Sequence, residues 1–92
     1  MVGGANGCFG ALAIEHRAAG NPNSATHTRT FRPSNYPRTR RAFRGREIVR
    51  AEVWGNCPWR LHSRTRFRGQ YVGLRGGFNS HVNLLPFSIS QQ

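Results

Sequence analysis

Lysine and aspartate are absent from this chain, and glutamate occurs only as Glu15, Glu47 and Glu52. Carboxylate chemistry therefore has little to draw on, and no nucleophile motif surrounds any serine or cysteine, so no catalytic residue is expected. No Walker lysine follows Gly3-Gly4 or the glycines of GLRGG at 73–77, which argues against a nucleotide-cradling loop. Cysteine is scarce. Cys8 and Cys57 could form one disulfide, but a disulfide-rich scaffold needs more. Four residues separate Cys57 from His62 and seven separate Cys8 from His16, with no close CxxC pair. Free cysteines and surface histidines are expected, and no metal or other cofactor. Long apolar runs are also missing, so nothing approaches a membrane span. The first residues lack the charged start and long apolar centre of a secretory signal.

Arginine fills the gap. All 14 basic side chains are arginine, and the net charge is +11 over 92 residues. Codon usage in a GC-rich gene would also remove lysine, but the electrostatics are the same either way. Stretch 28–46 carries Arg29, Arg32, Arg38, Arg40, Arg41, Arg44 and Arg46 with no acidic residue, and Phe31, Tyr36 and Phe43 are set among them. Like charges this dense repel. A polyanion relieves that repulsion, and the planar guanidinium grips two phosphate oxygens at once. A second stretch of similar composition carries Arg60, Arg64, Arg66 and Arg68 with Trp59, Leu61 and Phe67. Arginines would neutralise phosphates and the aromatics of both stretches could stack on unpaired bases, with Phe31, Tyr36 and Phe43 either stacking or wedging the segment into place. The chain has no recognisable major-groove reader, which favours RNA over DNA. The composition appears twice, but the sequence contains no true internal repeat.

The local pattern predicts a small, mostly irregular basic chain. Ser34 as cap, Pro37 in the first turn and Gly45 as stop predict one short helix over about 35–44. EIVRAEVW alternates Val49, Ala51 and Val53 against Arg50, Glu52 and Trp54, which predicts a strand at about 47–54, although the same residues could also continue a helix; a second strand could follow at about 70–75. The termini are expected to be extended and the independent core small. The chain divides into an N-terminal extension (1–28), a basic RNA-binding region (29–75) and an apolar C-terminal extension (76–92).

The basic stretch resembles the start of the bacterial-type large-subunit ribosomal protein thirty-four family, whose members are short basic chains buried in ribosomal RNA. Arg29, Thr30, Phe31, Pro33 and Ser34 fit the family's opening, Arg38 and Arg40 its next basic positions, and Phe43, Arg44 and Arg46 its close. Arg32 stands where Gln is usual, and Ala42 replaces a glycine. The resemblance implies a non-catalytic structural protein of a large ribosomal subunit, organellar (mitochondrion or plastid) or in the bacterial cytoplasm. Ribosomal RNA and neighbouring ribosomal proteins would be its partners, with no small-molecule substrate. Two other readings compete. One is a small assembly or accessory subunit held by its apolar ends, Phe9 to Ile14 and Val82 to Ile89. The other is a reading frame without a selected function.

Overall fold

Leu12, Ile14 and His16 alternate with Ala11, Ala13 and Glu15, and the first set is buried while the second is partly exposed. That period of two makes Gly10–Ala18 a strand, β1, with one face turned inward. The computed structural model describes residues 8–79, 82 and 84–91; Gly3, Gly4 and Gly7 lie outside them. The order continues with β2 (His27–Phe31), α1 (Arg40–Phe43), β3 (Arg46–Gly55), β4 (Trp59–Arg64), β5 (Arg68–Leu74), β6 (Gly77–Asn79) and β7 (Ser88–Gln91).

Two antiparallel sheets result, one in the order β2-β1-β3-β6 and the other β5-β4-β7. In the first, β1 is flanked by β2 and β3. The β1–β3 register slips between Glu15 and His16, so Arg50 faces Glu15 but Ile48 faces His16, and Val49 is the extra residue of a bulge. In the second, β4 is flanked by β5 and β7.

The two halves have the same plan. β1, β2 and β3 are arranged as β4, β5 and β7 are, and each half sends its remaining segment to the other half's sheet. β6 pairs with β3. In return Tyr36 bridges Ile89 of β7, with N–H···O distances of 2.7 and 2.9 Å in the two directions. Each half is thus a Greek-key arrangement whose third segment has been exchanged. The sequence shows no repeat, whereas the topology does.

One apolar cluster joins both sheets. Leu12, Ile14, Phe43, Ala51, Trp59, Leu61 and Ile89 have no exposed surface, and Phe31, Val53, Leu74 and Val82 are nearly as covered. The disulfide Cys8–Cys57 ties the entry of β1 to the β3–β4 connection inside this cluster. The radius of gyration is 12.5 Å, close to the roughly 12 Å of a compact domain of this length.

The expectation of a mostly irregular chain with little core is therefore corrected: the fold is all-β. Strands at 47–54 and 70–75 coincide with β3 and β5, but the ends expected to be extended hold β1, β6 and β7. The helix over 35–44 shrinks to the single turn Arg40–Phe43. Its backbone donors are satisfied elsewhere. The N–H groups of Tyr36 and Thr39 donate to the carbonyls of Ile89 and Phe87, and the Thr39 hydroxyl donates to the Pro86 carbonyl. Segment 35–39 is laid against β7 and its approach, so it cannot also close helical turns. Cys8 and Cys57 are not free but paired, and His16 and His62 are buried instead of lying on the surface.

Candidate polyanion interface

The two basic stretches meet at one hydrogen bond: the N–H of Arg66, in the β4–β5 turn, donates to the Pro37 carbonyl at 2.7 Å. Around this junction Arg38, Arg40, Arg41 and Arg44 line an open cleft of about 540 Å³ together with Thr65. A second depression of about 410 Å³ shares Arg38 and Arg41 and continues past Thr39, Tyr36 and Phe31 to Arg29. Among the described residues, no carboxylate lines either one.

The acidic residues sit elsewhere, on the β1–β3 sheet. Glu15 accepts from Arg50 at 2.8 Å. Glu47 accepts from Arg17 at 2.9 Å and from the Gly20 N–H at 2.7 Å. The Gly20 N–H and then the Arg17 guanidinium hold the Glu47 carboxyl below its ordinary range. Glu52 lines a depression with Glu15 and Arg50. Arg17 and Arg50 are thus ion-paired, and the sequence pattern placed neither of them in the binding set.

The β4–β5 turn adds a second cluster. Arg64 and Arg68 face each other across the hairpin, with Arg66 in the three-residue loop between them. Like charges directly opposite destabilise a strand pair. Arg66 and Phe67 both have left-handed backbones, with φ of 60° and 61°, which costs about 1–2 kcal/mol each for residues with a Cβ. Specific hydrogen bonds hold the turn in place. Ser88 Oγ, fully buried, accepts from the Phe67 N–H at 2.8 Å and donates to the Arg64 carbonyl at 2.6 Å. Gly69, at φ 78°, has no room for a side chain beside Ser63. The structure maintains a strained, charge-crowded tip where a relaxed Asn-Gly turn would be easier.

Among the expected site residues, Arg29, Arg38, Arg40, Arg41 and Arg44 converge, and Arg64, Arg66 and Arg68 adjoin them through the turn. Arg32 is exposed at the end of β2 but lines neither depression. Arg46 is half-buried, and its Nε donates to His16 Nδ1 at 3.0 Å. Burial, then Arg46, His27 and Arg29, lower the His16 pKa. Arg60 lies on the outer face of β4, its guanidinium 4.4 Å from the centroid of Tyr71.

The aromatic assignments change most. Phe43 has no exposed surface and Phe31 retains 6%, so both are core residues and cannot stack on a base. Phe43 meets His16 edge-on at 5.2 Å, and Phe31 meets Tyr36 at 5.1 Å. Tyr36 is half-buried, and its hydroxyl donates to the Arg32 carbonyl at 2.7 Å. Among the described residues, the exposed aromatics are instead Phe9, Trp54, Phe67 and Tyr71. Alternation along FRGQYVGL, with Val72 facing inward and Tyr71 outward, was the available signal for Tyr71. The apolar ends are largely consumed by folding, since Leu12, Ile14, Val82 and Ile89 are buried.

One pair has the appearance of catalytic machinery. His62 Nε2 lies 2.7 Å from Ser90 Oγ. His62 Nδ1 is buried without a hydrogen-bond partner, so no carboxylate orients the ring as a nucleophilic serine requires. Burial and then Arg60 push the His62 pKa down.

Comparison of the chain with protein-family models, with curated proteins and with solved structures finds no match to any of them.

Proposed function

We propose that this protein is a non-catalytic RNA-binding protein whose arginine cleft takes backbone phosphates. One observation carries the reading: Arg29, Arg38, Arg40, Arg41 and Arg44 line adjoining depressions from which carboxylates are absent, while all three glutamates lie on or beside the first sheet. A folded surface kept soluble by generic charge would mix the signs. Here the positive groups face one another, and a chain of phosphates passing between them removes the repulsion.

The proposal keeps the RNA ligand of the sequence reading and leaves aside the ribosomal setting. The segment that carried the ribosomal resemblance forms a strand end, a loop and one helical turn. The buried disulfide also favours an oxidising compartment over the reducing surroundings of most ribosomes.

Fluorescence anisotropy with a labelled single-stranded RNA, titrated at several salt concentrations, tests the reading. Each phosphate contacted in a single strand contributes about −0.7 to the slope of log K against log salt, so five cleft arginines give about −3.5. The double variant R38A/R41A should bring that to about −2.1, whereas R50A, on the glutamate-bearing sheet, should leave it unchanged. A flat salt response, or equal effects of the two variants, would defeat the proposal.

A further inference from the structure

The second sheet presents its outer face beside the basic turn, and two aromatic rings are exposed there. Trp59, Leu61 and Ile89 point into the core, so their neighbours Arg60, His62 and Ser90 lie on the opposite face, where the His62 ring is covered by Phe67 and Tyr71. Opposite them on β5 are Tyr71, across from His62, and Gly73, across from Arg60. The Tyr71 side chain is 55% exposed, with Arg60 over its ring. Phe67, 40% exposed, meets the edge of His62 at 5.7 Å, and Tyr71 lies 5.8 Å from the same ring. A Cβ added at Gly73 would meet nothing within 4 Å. The surface is therefore a row of two exposed rings and a stacked guanidinium, with clear space next to it.

Folding alone does not account for this row. Phe67 remains partly in solvent although its backbone is in a conformation that favours glycine. Tyr71 stays 55% exposed. Arg60 stacks on Tyr71 instead of pairing with a carboxylate. What the three side chains share is a flat, polarisable surface of the kind on which unpaired bases stack.

We infer that the Tyr71, Phe67 and Arg60 ledge binds unpaired bases, so that the ligand of the cleft is single-stranded RNA whose phosphates follow the arginines while its bases rest on the second sheet. The inference rests on the proposed function and adds the form of the ligand to it. The turn at 65–67 joins the two surfaces. Thr65 lines the cleft, Arg66 is tied to Pro37, and Phe67 begins the ledge. A strand crossing the turn passes from phosphate contacts to stacking contacts within a few nucleotides. A duplex, with its bases already stacked inside, can use only the first set. A sulfated polysaccharide offers charge but no aromatic bases.

The test compares a labelled oligouridine with an abasic strand of equal length and charge, both measured against the intact disulfide-bonded protein by anisotropy. One stacked base is worth roughly five- to 150-fold in affinity, so oligouridine should bind at least fivefold more tightly than the abasic strand. Y71A should remove that advantage and leave abasic binding unchanged. G73I, which keeps every ring and fills the open space, should do the same; circular dichroism melts confirm that both variants fold. Equal affinity for the two wild-type strands would overturn the ledge and leave the cleft proposal standing. Tighter binding of duplex RNA, or displacement of oligouridine by a sulfated polysaccharide at lower charge concentration than by RNA, would overturn it as well. Failure of both strands to bind would remove the function and the ledge together.

Discussion

Reducing the Cys8–Cys57 bond should cost this protein a large share of its stability while leaving its folded contacts almost intact. The two sulfurs are 49 residues apart in sequence. A closed loop of that length restricts the unfolded chain by about 4 kcal/mol on the loop-entropy estimate. A domain of 92 residues has a total stability of roughly 5–14 kcal/mol. Cys8 and Cys57 are 6% and 1% exposed, and free thiols sit well in apolar surroundings, so most of the loss arises in the unfolded state. Urea titration with and without a phosphine reductant measures it, read through the fluorescence of Trp59, which is fully buried. With an m-value of roughly 1–2 kcal/mol/M for a chain this small, the midpoint should fall by about 2–4 M. A shift below about 0.5 M would mean that the bond does not restrict the unfolded chain as argued.

Two other outcomes follow from buried polar groups. The folded forms of His16 and His62 bind protons less readily than the usual 6.5, chiefly because both are buried. The unfolded chain therefore takes up protons first, and the melting temperature should be level above about pH 7 and fall as pH drops through 6.5. Glu47, held low by Gly20 and Arg17, adds a further loss below its ordinary 4.5. A melting temperature unchanged between pH 7 and 5 would contradict the assignment, and H62N should flatten its part of the slope. S88A strips the Phe67 N–H and the Arg64 carbonyl of their partner, which should destabilise the fold by about 1–3 kcal/mol and speed amide exchange at 65–67; unchanged exchange there would show that the turn is held by something else.

What the sequence revealed depended on whether local signals agreed with distant ones. In β3, Ala51 and Val53 alternate with charged residues and Trp54, which favours a strand over a continued helix, while the bulge at Val49 that turns Ile48 inward has no local signal. β1 has the same alternation, but two of its four outward positions are alanines and a glycine opens it, so its pattern is weak and fits a tail as well. The cues for a helix over 35–44 were sound locally, yet Tyr36 is claimed by Ile89, which lies 53 positions along the chain. No local propensity outweighs a backbone pairing of that kind. The site shows the same division. Charge is legible from composition, so the arginines of the cleft were named in advance. Burial is not, and Phe31 and Phe43, each followed by an arginine, suit a binding role in sequence although their side chains close the core. Phe67 is visible among the arginines of the second stretch, but the exposure of Tyr71 follows from the β4–β5 register.

The traded segments have a consequence for how such a chain can arise and be cut. Because β6 completes the first sheet and Tyr36 extends the second, a fragment ending near Gly55 would lack the neighbour of its last strand, and a fragment starting near Trp59 would expose the flank of β7. Neither piece would be a finished object, and each would carry a vacancy shaped for the other. Divided there, the polypeptide becomes two fragments suited to reassociate, and an ancestor built from one half would have needed a second copy of itself.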